Sequence, residues 1–161
     1  YLFEAMASSS PAGTPSGERK ADPGAIHAER EQLKTTLGTV LKRELEGLYA
    51  RAEAVPFDDP AGRGARKVKT QALALLAASD PEKAAGMAAQ QFDSAGNMTD
   101  RQGAMMVLAG LKAPEREERL AAFYDRFKGN DLVIDKWFTL QALSLHDDVI
   151  NQVKALAEHP D

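Results

Sequence analysis

Cysteine is absent from this 161-residue chain, so neither a disulfide framework nor a thiolate metal site can form. That usage suits a cytoplasmic protein. Aromatic residues are scarce, 6% against 43% hydrophobic overall, so the core must be built mainly from Leu, Ala, Val and Met. Small apolar residues at this density suit closely packed helices better than a β-sandwich. Basic charge is not in excess: 24 acidic residues against 20 basic ones give −4, which argues against a nucleic-acid footprint. No apolar run approaches the ~18 to 20 residues of a membrane span. No basic segment followed by an apolar one marks a secretory leader. Tyr1 stands where a methionine would open a full-length chain, which reads as a piece of a longer one. The compact catalytic signatures are missing too: there is no HExxH, Walker loop, GxSxG or glycine-rich dinucleotide fingerprint.

What is present is helical punctuation. Residues 1–21 are an exception, a Ser/Pro/Gly-rich stretch behind the short apolar head Tyr1-Leu2-Phe3. They read as a flexible N-terminal segment or an expression remnant. Asp22-Pro23 then opens a long helix, with Asp as N-cap and Pro in the first turn. Ile26, Leu33, Leu37, Leu41, Leu45 and Leu48 form its apolar stripe, with Val40 and Tyr49 beside it. This helix is expected to run to Ala54, before Pro56. Asp59-Pro60 starts a second helix, whose half from Ala72 to Ala78 is apolar all round and is expected to be innermost. Ser79 with Glu82, and Thr99 with Gln102, have capping-box spacing and predict the next two starts. Pro114 opens a helix with Glu115, Glu117 and Glu118 near its positive end. Lys128-Gly129 stops it. Asn130 caps a helix carrying Trp137 and Phe138, and a last helix begins near Asp147.

About seven helices emerge with short connections and no credible strand pair. The rhythm predicts an all-α fold of antiparallel helix pairs over 22–161, a HEAT/armadillo-like α-solenoid segment, with an orthogonal bundle as the alternative.

Candidate chemistry is sparse. His27, His146 and His159 lack partners at metal-ligand spacing and read as surface or cap residues. Arg63, Arg66, Lys67 and Lys69 form a basic cluster, read as a solvated face balanced by Asp58 and Asp59. Asp131 and Asp135 share a helix face in the positive first turns, where carboxylates stabilise the helix dipole. Met87, Met98, Met105 and Met106 suit adaptable core filler. Trp137 and Phe138 suit core anchors, with an interface anchor as the alternative. No residue is assigned as catalytic, cofactor-binding or metal-ligating.

Asn130, Leu132, Val133, Asp135, Lys136, Trp137, Phe138, Leu140, Gln141 and Ala142 follow the pattern N-x-L-V-x-D-K-W-F-x-L-Q-A. Gln91-Phe92, Ala95 and Asn97-Met98-Thr99-Asp100 follow Q-F-x-x-A-x-N-M-T-D. Asp22-Pro23 through Ala28-Glu29-Arg30-Glu31, Val153-Lys154-Ala155-Leu156 and His159-Pro160 agree in the same order. On these segments the chain resembles the C-terminal helical domain of the bacterial aminopeptidase N family, zinc-dependent alanyl aminopeptidases. The resemblance implies a cytoplasmic parent that removes N-terminal residues from peptides. It also implies that zinc and the catalytic groups belong to a separate domain. The family's H-E-x-x-H, G-A-M-E-N and N-P-N-R segments do not occur here, so no catalytic or zinc-binding role passes to any residue of this chain.

The expected function is therefore that of a non-catalytic fragment that packs on the parent's catalytic domain and walls its peptide chamber. The alternative is a free-standing helical-repeat scaffold that binds peptides or proteins. Neither nucleic acid nor membrane is an expected partner. Self-association is expected through an apolar face, with the final helix, through Val149, Ile150 and Val153, partly exposed.

Overall fold

A computed structural model of the chain describes residues 21–160. The reading of residues 1–21 as a flexible segment lies outside that range except at Ala21. All regular elements among the described residues are helices: α1 Pro23–Val40, α2 Lys42–Glu53, α3 Gly62–Ser79, α4 Pro81–Ser94, α5 Met98–Ala109, α6 Pro114–Phe127, α7 Asp131–Ala142 and α8 Val149–Ala157.

Eight helices, where about seven were expected, arise because the long first helix divides at Leu41. The i→i−4 bonding carries on across the junction, Leu41 N–H to Leu37 O and Leu45 N–H to Leu41 O. The break is confined to Leu41, whose φ −102° and ψ 18° depart from the helical range. Two causes converge there. The hydroxyls of Thr35, Thr36 and Thr39 each donate to a carbonyl four residues back, which bends helices. Gly38 also lets α1 touch α3: a Cβ there would lie 2.3 Å from Leu75 O. Past the break, α2 buries Leu45, Tyr49 and Ala52 along α3. The apolar stripe of α1 is less covered than its periodicity suggested, with Ile26, Leu33, Val40 and Leu41 exposed.

Helix α3 packs on α1, α2, α4 and α5, but it is not the innermost as expected: Ala74 is exposed and Leu75, Ala77 and Ala78 are half-buried, while the shorter α5 buries more of its residues. Ala72, Leu73 and Leu76 are buried on α3. The odd-numbered helices form one layer, α1 on α3, α3 on α5 and α5 on α7, while α4 packs on α6 in the other. Consecutive helices pack together throughout, giving the two-layer stack of a helical-repeat protein. Phe123, Met105 and Leu108 are fully buried between the layers, with Phe92 beside Phe123 at 6.4 Å.

Both capping boxes are placed one or two residues away from where the spacing put them. Asp80 caps α4, accepting from Lys83 N–H at 3.2 Å, while Ser79 ends α3 with its hydroxyl on Leu76 O. Asn97 caps α5, accepting from Asp100 N–H at 2.9 Å, so Thr99 is already inside the helix. In each case a carboxylate or amide oxygen, Asp80 or Asn97, takes the free first-turn N–H that the hydroxyl was expected to take. Asn130 occupies the N-cap position of α7 without a side-chain hydrogen bond to it. Gly129, at φ +96°, makes the left-handed exit from α6 that the Lys128-Gly129 pair predicts.

Candidate functional site

Four helices meet at a buried polar cluster. Tyr49 from α2 donates its hydroxyl to Gln91 Oε1 on α4 at 3.0 Å. Gln91 Nε2 donates onward to the backbone oxygen of Asp100 on α5 at 2.8 Å. Lys69 from α3 lies 2.9 Å from Asp100 Oδ1, and its ammonium is 6.0 Å from the centre of the Tyr49 ring. Asn97 Nδ2 occupies the carboxylate's other oxygen at 2.7 Å. Burial pushes the Tyr49 phenol far above its ordinary range, and the charges of Glu53 and Asp100 add to the effect. The phenol is therefore a neutral donor, held in place by its acceptor. Beside the cluster Gly103 lets α5 approach α3, since a Cβ there would lie 2.4 Å from Thr70 Oγ1.

A second cluster closes the far end. Trp137 on α7 donates its indole N–H to Leu120 O on α6 at 2.9 Å. Its ring packs with Tyr124, Phe138 and His159 at 5.1, 5.1 and 5.4 Å. Gln141 Nε2 donates to Trp137 O at 3.2 Å. Arg116, buried at the start of α6, donates Nε–H to Ala109 O at 3.1 Å and Nη2–H to Gln152 Oε1 at 2.6 Å, tying α5, α6 and α8.

Both clusters tie helices together. In both, the donors are satisfied by neighbouring helices, and nothing brings a nucleophile beside a base. Among the described residues no three His, Asp or Glu side chains gather as a metal-ligand set. No described helix is long and apolar enough to cross a membrane.

The candidate residues from the sequence are scattered. His27 is exposed on α1, His146 is in the α7–α8 connection, and His159 belongs to the aromatic cluster. The basic cluster does not act as one face, and Asp58 and Asp59 do not balance it as expected. Lys69 turns inward to Asp100, and Arg66 stacks at 4.4 Å on Phe57 and donates to its carbonyl. Arg63 and Lys67 remain exposed. Asp131 and Asp135 are both exposed, and only Asp131 lies in the first turn of α7. Met105 is fully buried, Met87 and Met98 are half-buried, and Met106 is 56% exposed, so it is not core filler. Trp137 is a core anchor, 9% exposed, with Phe138 half-buried beside it.

Two surface grooves remain. One, of about 560 Å³, lies between α4 and α6 and is edged by Asp93, Glu115, Glu118 and Arg119. Arg119 already pairs there with Asp93 at 2.7 Å and with Glu118. The other, of about 510 Å³, crosses the odd layer over all four of its helices. Its apolar lining includes Ala74, Leu75, Met106, Val107, Leu140 and Leu143. Lys34 and Glu31, paired at 2.7 Å, stand at the α1 side. Ser144 Oγ, at the α7 side, is buried with no hydrogen-bond partner among the described residues. Periodicity could not reveal this groove. Met106 belongs to the same apolar run as the buried Met105, and only the stacking of four helices shows which of the two faces out.

A family profile described as a domain of unknown function (DUF3458_C) with ARM repeats matches residues 5–161. Aminopeptidase N of Caulobacter vibrioides is 32% identical over 144 residues, covering 88% of this chain and 17% of the relative. Aminopeptidase N of Escherichia coli K12 is 33% identical over 139 residues, covering 86% and 16%. The crystal structure of Legionella pneumophila aminopeptidase A in complex with aspartic acid superposes with a TM-score of 0.78 at 28% identity, covering 88% of this chain and 18% of that one. The chain thus spans about a sixth of the length of the curated relatives it matches. ARM repeats agree with the solenoid expected from helix rhythm and displace the orthogonal bundle.

Proposed function

The chain belongs to the DUF3458_C family of ARM-repeat domains, and from that membership we propose that it walls the peptide chamber of an aminopeptidase and is inactive alone. In this reading the parent is a cytoplasmic, zinc-dependent enzyme that removes N-terminal residues from peptides. The segment's partner is the parent's catalytic domain, and its odd-numbered layer faces the substrate. The observation that carries the reading is the groove across α1, α3, α5 and α7. It is mainly apolar, with Thr70, Gln71 and Ser144 as its uncharged polar residues, it crosses four helices, and its only charged lining residues are the self-paired Lys34 and Glu31. Such a surface contacts a peptide without gripping one sequence, because apolar contact is non-directional. The modest share of the relatives' length favours this over a free-standing scaffold.

The test is direct. The purified 161-residue chain should bind no stoichiometric zinc in equilibrium dialysis and should not release chromophore from an alanyl anilide. Metal-dependent turnover by the pure chain would overturn the proposal.

A further inference from the structure

The polarity of the hydrogen-bond chain at α8 is fixed at both ends. Arg116 can only donate, so the Gln152 amide must present Oε1 to it, at 2.6 Å. The same amide must then present its N–H to His146 Nδ1, at 3.0 Å. The Asp148 backbone N–H, which also can only donate, points to that same nitrogen at 3.2 Å. Nδ1 is therefore an acceptor for two donors, and the ring must be the neutral tautomer with its proton on Nε2. A proton on Nδ1 would set three donors against one another. Gln152 cannot resolve the conflict by turning over, because that would aim its N–H at Arg116.

We propose that His146 is a proton-operated latch: the neutral ring fastens α8 to the α5–α6 corner through Gln152 and Arg116, and the protonated ring releases it. The structure around the latch suits release. Helix α8 buries no residue fully, and Ile150 and Val153 are exposed. Its start leans on this polar chain and on the half-buried Val149, while its far end is held by the half-buried Leu156 and by His159 among the rings of Tyr124, Trp137 and Phe138. The charged groups around His146 are Asp147 and Asp148 in its own connection, Lys112 in the α5–α6 connection and Arg116 on α6. Asp147, the anion that would favour a charged ring, pairs first with Lys112 at 2.5 Å, and its attraction to a charged His146 is the weakest of the influences on its carboxyl. The Asp148 carboxylate is taken by Asn151 at 2.5 Å. Arg116 carries its own counter-charge in Glu117, the next residue of α6, so its part in the chain is that of a fixed donor. The neutral ring is the one the folded network accepts. Attachment is thus complete with the neutral ring and is lost when Nδ1 takes a proton.

Backbone amide exchange on the 161-residue chain, corrected for the intrinsic pH dependence of exchange, tests this. From pH 7.5 to 5.5, protection at Gln152 and Val153 should fall about tenfold or more, while protection at Leu73 and Leu76 in α3 stays unchanged. His146→Asn, which keeps an acceptor near Nδ1 but cannot charge, should leave α8 protection flat across the range. A flat wild-type profile, or the same fall in His146→Asn, would overturn the latch. Nitrogen shifts of the ring give a check that needs no variant. Nδ1 must appear unprotonated at pH 7.5, and a proton found on it would also overturn the proposal.

Discussion

Removing the carboxylate of Asp100 should be among the most damaging single changes in the described fold. Its partner Lys69 has a side chain 7% exposed, and Asp100 itself is 15% exposed, so little water reaches the pair. At 2.9 Å and an effective dielectric constant of about 20, their gross attraction is about 6 kcal/mol, most of which offsets desolvation. In Asp100→Ala the ammonium stays buried without a counter-charge, a situation that costs about 3 to 5 kcal/mol. The backbone contacts at position 100, from Gln91 Nε2 and to Asn97 Oδ1, do not need the carboxylate and should persist. Lys69→Met alone leaves Asp100 Oδ1 buried without its cation, while Oδ2 is still held by Asn97, so it should also destabilise. The double variant Asp100→Ala, Lys69→Met should recover at least half of the loss, because replacing both charges removes the desolvation as well as the attraction. Urea unfolding followed by Trp137 fluorescence and by helical circular dichroism would supply all four corners of the cycle. A cost below 1 kcal/mol for Asp100→Ala, or a double variant no more stable than that single one, would refute the reasoning.

Three further outcomes follow from the same packing. Trp137→Ala should cost about 3 to 5 kcal/mol in calorimetry, since it removes a buried ring and the bond to Leu120 O; a loss under 1 kcal/mol would move the residue out of the core. Gly103→Ala should destabilise by about 1 to 3 kcal/mol, because the new methyl meets Thr70 Oγ1, and Thr70→Ala should relieve part of it in urea titrations. Alkaline titration should expose Tyr49. The unfolded phenol ionises near pH 10 while the folded one holds its proton, so stability should decline above about pH 10, by up to about 1.4 kcal/mol per pH unit. Tyr49→Phe should lose that share of the decline, and an unchanged slope would contradict the buried phenol.

How far the sequence spoke depends on the kind of contact. Pro, Asp and Gly punctuation located most helix ends, because caps and stops act within a few residues. The all-apolar run from Ala72 marked α3 as a core helix but overstated it as innermost, because Ala74, Leu75, Ala77 and Ala78 on its outer side line the surface groove and α5 is buried more completely. The break at Leu41 was not legible, since a continuous leucine stripe hides three threonine back-bonds and a close approach at Gly38. Lys69 was misread with its basic neighbours because its partner, Asp100, lies on a different helix. Gln91 and Asp100, first noticed as letters of a family pattern, turn out to be two corners of the buried polar cluster. Arg116 went unnoticed as a tie, hidden in a run of surface charges. The groove was illegible for a further reason: it belongs to no single helix.

The central claim is that the groove of the odd-numbered layer faces peptide substrate in the parent enzyme. Met106, exposed midway along it, is the point to narrow. In the full-length parent, Met106→Trp should lower kcat/KM for an eight-residue peptide several-fold while leaving an alanyl anilide unchanged, because the small substrate does not extend to the wall. Equal effects on both substrates, or no effect on either, would contradict the assignment of this surface to the chamber.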